Sequence, residues 1–170
     1  ILESKIKPPY SGSHGYRSGR LDGLGELAGL PRLDKAEMKV EYPFVNISFE
    51  DSQLPVEIEL EAFTPFIPLN PEDSGIPCSI FRYKAKNITA GPANVTIAFS
   101  LLNVVGYDGD EIKLEDFCGN HNELRLEEGF SGLYMYSEQF TREHIKYGSI
   151  GVLVPETAIT AKPSWLKGEW

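Results

Sequence analysis

The sequence predicts an all-β protein, a two-sheet antiparallel β-sandwich with long Pro-rich connecting loops. Two observations predict this class. Between Glu41 and Lys86, apolar and polar residues repeatedly alternate with a period of two, as they do in strands that bury one face. The 12 Pro and 16 Gly divide the chain into short segments, which suits a many-stranded sheet better than a bundle of long helices.

The length of the chain supports one domain. Its 170 residues, of which 41% are hydrophobic, supply enough apolar side chains for one sizeable core. We expect residues 1–35 to form an extended, Gly-rich amino-terminal segment and residues 36–170 to form the sandwich. The sequence LDGLGELAG at 21–29 lacks the preceding strand and the Lys-Ser/Thr ending of a phosphate-binding loop, so we interpret it as turns.

The first strands are predicted from alternation. AEMKVEY and FVNISFE, from Ala36 onward, each predict a strand, and Val56–Phe63 predicts a third. In this third strand one face is apolar and the other is acidic, which predicts burial on one side only. The apolar face carries Val56, Ile58, Leu60 and Ala62, and the acidic face carries Glu57, Glu59 and Glu61.

A stiff corner and a hairpin are predicted next. The four prolines of the segment from Phe63 through Pro77 remove backbone donors and hold this segment extended or turned. Cys78–Lys86 and Val95–Leu102 then predict two strands, which the Gly91-Pro92 turn would join as a hairpin.

The last third of the chain predicts further short strands. Asp108-Gly109 is a favoured hairpin turn. The segment Glu138–Tyr147 predicts either one helical turn or a loop. The strands that we expect here are Glu123–Leu126, Gly132–Ser137 and Ser149–Val154.

Charge and composition exclude several classes of protein. The net charge of −9 argues against nucleic acid and anionic membranes as partners, since both select a cationic surface. No segment is long and apolar enough for a transmembrane span and no signal pattern opens the sequence, so we expect a cytoplasmic protein. Cys78 and Cys118 predict free thiols, with one disulfide as the alternative. We expect no cofactor.

The acidic strand is a candidate for glycosidase chemistry. Glu57, Glu59 and Glu61 should lie about 7 Å apart along one face, near the separation of paired catalytic carboxylates. Such a row is more often a solvated sheet face, and no neighbouring sequence would desolvate one carboxyl to raise its pKa. We therefore predict no catalytic residue in this chain.

Metal sites have weak support. Asp108, Asp110 and Glu111 could contribute oxygen ligands to calcium, but they lack EF-hand spacing, and a polar hairpin tip is the simpler interpretation. The three histidines are too widely spaced to predict a zinc site. They are His14, His121 and His144.

Aromatic residues could instead form a platform for stacking sugars. In GLYMYS, however, alternating aromatic residues more often pack inward or across strands. The terminal tryptophans could dock on a neighbouring domain. The platform candidates are Tyr83, Tyr134, Tyr136, Trp165 and Trp170.

Three motifs resemble one family. EYPFVNISFED at 41–51, LPVEIELEAFTPFIPLNPEDSGIP at 54–77 and SIFRYKAKN at 79–87 are similar, in order and spacing, to the amino-terminal domain of glycoside hydrolase family 116. This is the family of bile-acid β-glucosidase and non-lysosomal glucosylceramidase. The resemblance covers residues from about 20 to 170 and is most specific in the middle.

The resemblance implies that the chain is part of a retaining β-glucosidase or glucosylceramidase. The family's nucleophilic Glu and acid/base Asp lie in a following (α/α)6 barrel, so no catalytic residue is transferred to this chain. We expect this domain to be inactive alone and to support the barrel. The contact residues that we predict are Phe63, Pro65, Phe66, Pro68, Trp165 and Trp170.

The alternative function is an independent carbohydrate-binding module, with weak contact to sugars. A coplanar pair of exposed aromatic rings would favour the module. A broad apolar patch on one sheet would favour docking to a barrel.

Overall fold

The protein is built from strands in two antiparallel sheets. A computed structural model describes residues 2–5, 31–107, 119–155 and 159–164. Two compact units divide the chain at Ile97. The predicted all-β class, with antiparallel sheets, is confirmed. The strands are β1 Lys35–Glu41, β2 Phe44–Glu50, β3 Val56–Phe63, β4 Ile80–Asn87, β5 Asn120–Glu127, β6 Phe130–Ser137 and β7 Ser149–Val154.

The first unit contains a four-stranded sheet in the order β1-β2-β3-β4. Its register aligns Ile47 with Leu60 and Leu60 with Tyr83, so apolar side chains from three strands share one face. Phe49, on the same face, is buried. The β3 strand coincides with its predicted bounds because its alternation of apolar and acidic residues is unbroken.

A two-residue turn joins β1 to β2. It consists of Tyr42 and Pro43, and the peptide bond between them is cis. At the opposite end of the sheet, β2 passes to β3 through a turn in which the Gln53 amide donates to Asp51 Oδ1 at 2.8 Å. Short connections of this kind keep consecutive strands adjacent and antiparallel.

The predicted Pro-rich corner is present between β3 and β4, and it also contains a helical turn that was not predicted. This helix, α1, spans Pro71–Ser74. Asn70 caps it, accepting a hydrogen bond from the Asp73 amide at 3.1 Å, and Pro71 occupies its first turn. The Ile67 amide donates to Ser74 Oγ at 2.9 Å, which ties the helix to the preceding segment.

The predicted hairpin after β4 is wrong. Val95–Leu102 is not a strand, although its apolar residues do alternate. The turn itself is closed by side chains, because Asn87 Nδ2 donates to the Gly91 carbonyl at 2.7 Å and the Thr89 amide donates to Asn87 Oδ1 at 2.9 Å. Pro92 then offers no amide to continue a ladder with β4.

The second unit contains a three-stranded sheet in the order β5-β6-β7. All three predicted strands are confirmed, and two of them extend beyond their predicted bounds. Gly129, with φ of 88°, forms the tight turn between β5 and β6. Residues 138–148 form turns, which resolves the open choice in favour of a loop. Met135 is almost fully buried on the inner face of β6.

Two asparagines, of which Asn103 is buried and Asn120 half-buried, attach the preceding segment to this sheet. Asn103 Nδ2 donates to the His121 carbonyl at 3.1 Å, and Asn120 Nδ2 donates to the Asn103 carbonyl at 3.2 Å. Val105 is buried beside them, and its amide donates to Asn103 Oδ1 at 3.1 Å. These bonds satisfy polar groups that would otherwise be costly to bury.

Two buried serines on β6 provide a test of this packing. Ser131 is fully buried and its hydroxyl finds no hydrogen-bond partner among the described residues, whereas Ser137 Oγ accepts from the Gln139 amide at 3.3 Å. We expect Ser131→Ala to raise the free energy of unfolding by about 1 kcal/mol, because burying an unpaired hydroxyl is unfavourable. Urea denaturation measures the change.

Ser137→Ala is the matched control, and we expect it to lower the free energy of unfolding because the Gln139 amide loses its acceptor. Equal losses of stability in both variants would contradict the assignment of an unpaired hydroxyl at Ser131.

Candidate functional site

Three surfaces carry the chemistry of the described residues. The first, the glutamate row, is Glu57, Glu59 and Glu61 on β3. Each of these carboxylates faces a cation directly across on β4, with N–O distances of 3.0 to 3.2 Å. The pairs are Glu57–Lys86, Glu59–Lys84 and Glu61–Arg82.

The glutamate row is solvated. The side chains of Glu57 and Glu59 are 58% and 61% exposed. A catalytic acid needs an environment that disfavours its ionised form, usually an apolar pocket or a second carboxylate at close range. Each carboxylate of the row instead lies beside a cation, which is a lysine for Glu57 and Glu59 and an arginine for Glu61. The geometry therefore supports a charged sheet face rather than a catalytic pair.

The second surface, the corner patch, comprises apolar side chains at one end of the four-stranded sheet. Phe44 and Phe63 are cross-strand partners with ring centroids 5.2 Å apart, and Ile80 follows on β4. Phe66 contacts Tyr42 edge to face at 5.2 Å. The patch consists of Tyr42, Phe44, Phe63, Phe66, Ile67, Leu69 and Ile80.

Leu69 is the most unusual residue of the corner patch. Its side chain is fully exposed and its φ is 65°, in the left-handed region that few residues other than glycine adopt. This conformation turns the chain into the Asn70 cap of α1. A large apolar residue gains nothing at such a position from the described contacts, and strained residues of this kind concentrate at functional surfaces.

The corner patch contains both predicted and unpredicted residues. Among the predicted contact residues, Phe63 and Phe66 belong to the patch, and Pro65 and Pro68 lie beside them in the chain. Tyr42 and Phe44 were not predicted. Their signal is the EYPF sequence itself, since a Pro-containing turn at the end of a strand places the flanking aromatic residues at the sheet end. Trp165 and Trp170 lie outside the described residues.

The third surface, the tyrosine face, is the outer side of the three-stranded sheet. Tyr134 and Tyr136 alternate with buried residues on the central strand, β6, and their rings are 5.5 Å apart. His121 stacks on Tyr136 at 5.1 Å, and the Arg125 guanidinium lies 3.8 Å from the centroid of Tyr134. These contacts confirm cross-strand packing of the GLYMYS aromatics.

Glu123 links the two halves of the tyrosine face. It accepts hydrogen bonds from the Tyr136 hydroxyl at 2.8 Å and from Arg125 at 3.2 Å. Both bonds hold the pKa of Glu123 below its usual 4.5, the tyrosine bond contributing most. The same bond raises the pKa of Tyr136 above its usual 10.0, because the carboxylate accepts from the neutral hydroxyl.

The two tyrosines do not form a coplanar sugar platform, which was the less favoured interpretation of the sequence. Their rings are tilted by 32° and half-buried, and Arg125 and His121 cover part of them. Tyr83 lies on the other sheet, on its apolar face opposite Leu60.

Several other segments considered in the sequence lie outside the described residues. The segment 21–29, the candidate calcium ligands Asp108, Asp110 and Glu111, and Cys118 fall outside the described residues. Cys78 is an exposed free thiol. In the part of the chain that the structure describes, no group of His, Cys, Asp or Glu could hold a metal ion, and no helix is long and apolar enough to cross a bilayer.

Comparison with known proteins yields one family. A family model described as beta-glucosidase 2, glycosyl-hydrolase family 116 N-term, matches residues 7–168. No curated protein matches the chain. The family match therefore covers nearly the whole sequence, including the strands of both sheets.

The hydrogen bond between Tyr136 and Glu123 yields a prediction about pKa. We expect Tyr136→Phe to raise the pKa of Glu123 towards 4.5, because the variant removes the donor that most stabilises the carboxylate. A carboxyl whose pKa is depressed by folding contributes stability above its unfolded pKa, and this contribution is lost as pH falls through the folded pKa. Titration of the side-chain carboxyl by ¹³C NMR measures the change.

Tyr134→Phe is the control, because Tyr134 contacts Arg125 through its ring and leaves the bond to Glu123 intact. A Glu123 pKa that is the same in wild type and Tyr136→Phe would show that this bond is absent in solution.

Proposed function

The chain belongs to glycosyl-hydrolase family 116 as its N-terminal domain, and from this membership we propose that it is a non-catalytic module that supports the catalytic domain of the same protein. The proposed partner is the following (α/α)6 barrel, which would hydrolyse β-glucosides, including glucosylceramide, with retention of configuration. The corner patch is the proposed contact with that barrel.

The observation that carries the proposal is the exposure of the corner patch. Tyr42 is 73% exposed and Phe66 is 47% exposed, although both are large and aromatic. A cluster of apolar side chains at this exposure marks an interaction surface in soluble proteins. Aromatic residues of this kind also form the energetic centre of protein interfaces, since they bury much area at little cost in entropy.

The position of Leu69 supports docking in particular. A fully exposed leucine in the left-handed region raises the free energy of the chain in two ways, through its backbone conformation and through the hydration of its apolar side chain. Contact with a partner would remove the second cost. Phe66, Ile67 and Leu69 precede the capped helix α1, which limits their freedom before docking and so reduces the entropy lost on binding.

The glutamate row supports a non-catalytic role. Glu57 and Glu59 are exposed and each glutamate of the row is paired with a cation on β4, so no apolar pocket encloses one carboxyl as in a catalytic acid. The tilt of 32° between Tyr134 and Tyr136 also removes the coplanar aromatic pair that would favour an independent carbohydrate-binding module.

The direct test is hydrolysis of a chromogenic β-glucoside by this chain, by the separately expressed downstream segment, and by their mixture. We expect activity to rise only when the downstream segment is present, and to be higher in the mixture than in that segment alone. Hydrolysis by this chain alone would overturn the proposal.

Variants of the corner patch separate docking from folding. We expect Phe66→Ser to weaken binding to the downstream segment by about tenfold, because it removes a central apolar contact. We expect Leu69→Gly to weaken binding too, while the free energy of unfolding of the chain alone stays unchanged or rises by up to about 1 kcal/mol, because glycine relieves the backbone. Calorimetric titration and urea denaturation measure the two effects.

Glu59→Gln is the control, since Glu59 lies on the same strand as Phe63 but outside the corner patch. Equal losses of affinity in Glu59→Gln and Leu69→Gly would argue against the patch as the contact.

A further inference from the structure

We propose that a depression on the tyrosine face, the tyrosine pocket, binds one residue of a neutral sugar. The pocket has a volume of about 220 Å³. Glu123, Arg125, Tyr134, Tyr136, Tyr147 and Gly148 line it. This inference concerns the second unit alone and does not depend on docking to a barrel.

The residues that line the tyrosine pocket lie on β5, on β6, and in the loop before β7 up to its first residue, Ser149. Tyr147 belongs to this loop and is 47% exposed, so an aromatic side chain borders the pocket in contact with solvent. The apolar C–H groups of a sugar ring pack on aromatic surfaces of this kind, because aromatic residues join an apolar body to a polar tip.

Gly148 leaves the pocket open. It has no heavy atom within 4 Å of the position that a Cβ would occupy. Gly151 stands directly across from Tyr134 on β7, and a Cβ there would lie 3.9 Å from the Leu153 side chain. A larger residue at position 148 would occupy the space that a ligand needs.

The charges of the pocket select a neutral ligand. Glu123 and Arg125 lie 3.2 Å apart, and their charges cancel. An anion attracted by Arg125 would meet the carboxylate of Glu123, and a cation attracted by Glu123 would meet the guanidinium. Neighbouring hydroxyl groups can instead donate to the carboxylate and accept from the guanidinium at the same time, using hydrogen-bonding capacity that these two groups retain.

The hydrogen bond from Tyr136 to Glu123 orders the pocket before a ligand enters. It fixes the carboxylate against β6, and the contact between Arg125 and the ring of Tyr134 holds the guanidinium beside it. Groups positioned in advance lose little entropy on binding. Because the pocket is small and open, we expect a dissociation constant on the order of 1 mM for a single sugar.

The test is a ¹H–¹⁵N NMR titration of the 170-residue chain with methyl β-glucopyranoside. We expect the amide signals of residues 147–151 to shift, saturating in the millimolar range, while those of residues 57–61 stay in place. Absence of shifts at 100 mM glycoside, roughly a hundredfold above the expected constant, would overturn the proposal.

Two variants test the pocket by different means. Tyr147→Ala removes the exposed aromatic side chain and Gly148→Leu fills the pocket, and we expect each to weaken binding at least tenfold. Gly91→Leu is the matched control, because a Cβ at Gly91 also meets open space. If Gly148→Leu bound the glycoside with unchanged affinity, and its NMR spectrum were as well dispersed as that of the wild-type chain, the sugar would bind outside the tyrosine pocket.

Inorganic phosphate provides the test of charge selection. We expect no shifts at residues 147–151 with phosphate up to the same concentration. Phosphate shifts at these residues would show that Arg125 dominates the pocket and would contradict a neutral-sugar site. The titration contains no barrel, so a negative result would not affect the docking proposal. Likewise, failure of the docking experiments would not affect the result of the titration.

Discussion

The register of β3 between β2 and β4 is the constraint on which the first unit depends. Pairing of Glu59 with Lys84 and of Leu60 with Tyr83 places charge on one face and apolar side chains on the other. Because strand side chains alternate, a slip by one residue would exchange the two faces and separate each glutamate from its cation. The same register aligns Phe44, Phe63 and Ile80, so the sheet ends in the corner patch.

Exposed apolar residues on this sheet support docking to its proposed partner. Besides the corner patch, Met38 and Val40 on β1 are each 64% exposed on the apolar face. The ion pairs opposite them add little stability, since exposed pairs are each worth at most about 1 kcal/mol. We infer that the proposed contact with another domain supplies apolar burial that the described residues lack.

The strands could be predicted from sequence because alternation is a local signal. Val56–Phe63 and Ser149–Val154 were predicted with the bounds that the structure has. The hairpin at Val95–Leu102 failed for a reason that alternation does not show: Asn87 donates to the Gly91 carbonyl within the turn, and the next residue, Pro92, has no amide to continue the ladder. Helix α1 was predictable from Asn70 and Pro71, which form a recognisable N-terminal cap.

The sites were harder to predict, because each combines residues far apart in sequence. The pairing of β2 with β3 brings Tyr42 into contact with Phe66, and the pairing of β5 with β6 brings Tyr136 into contact with Glu123. The sequence could suggest aromatic candidates but not whether their rings would be coplanar, tilted or covered by Arg125. For the same reason, the sequence predicted the Pro-rich corner as a contact but did not predict that Tyr42 and Phe44 would lie beside it.

Hydrogen–deuterium exchange, compared between the isolated chain and the intact parent enzyme, tests the docking claim most directly. If the corner patch docks, amides at 42–44 and 63–69 should exchange more slowly in the intact enzyme. Amides at 51–55, in the turn at the opposite end of the sheet, should exchange alike in both. Equal exchange at 63–69 in the two proteins, or protection confined to 51–55, would contradict the account.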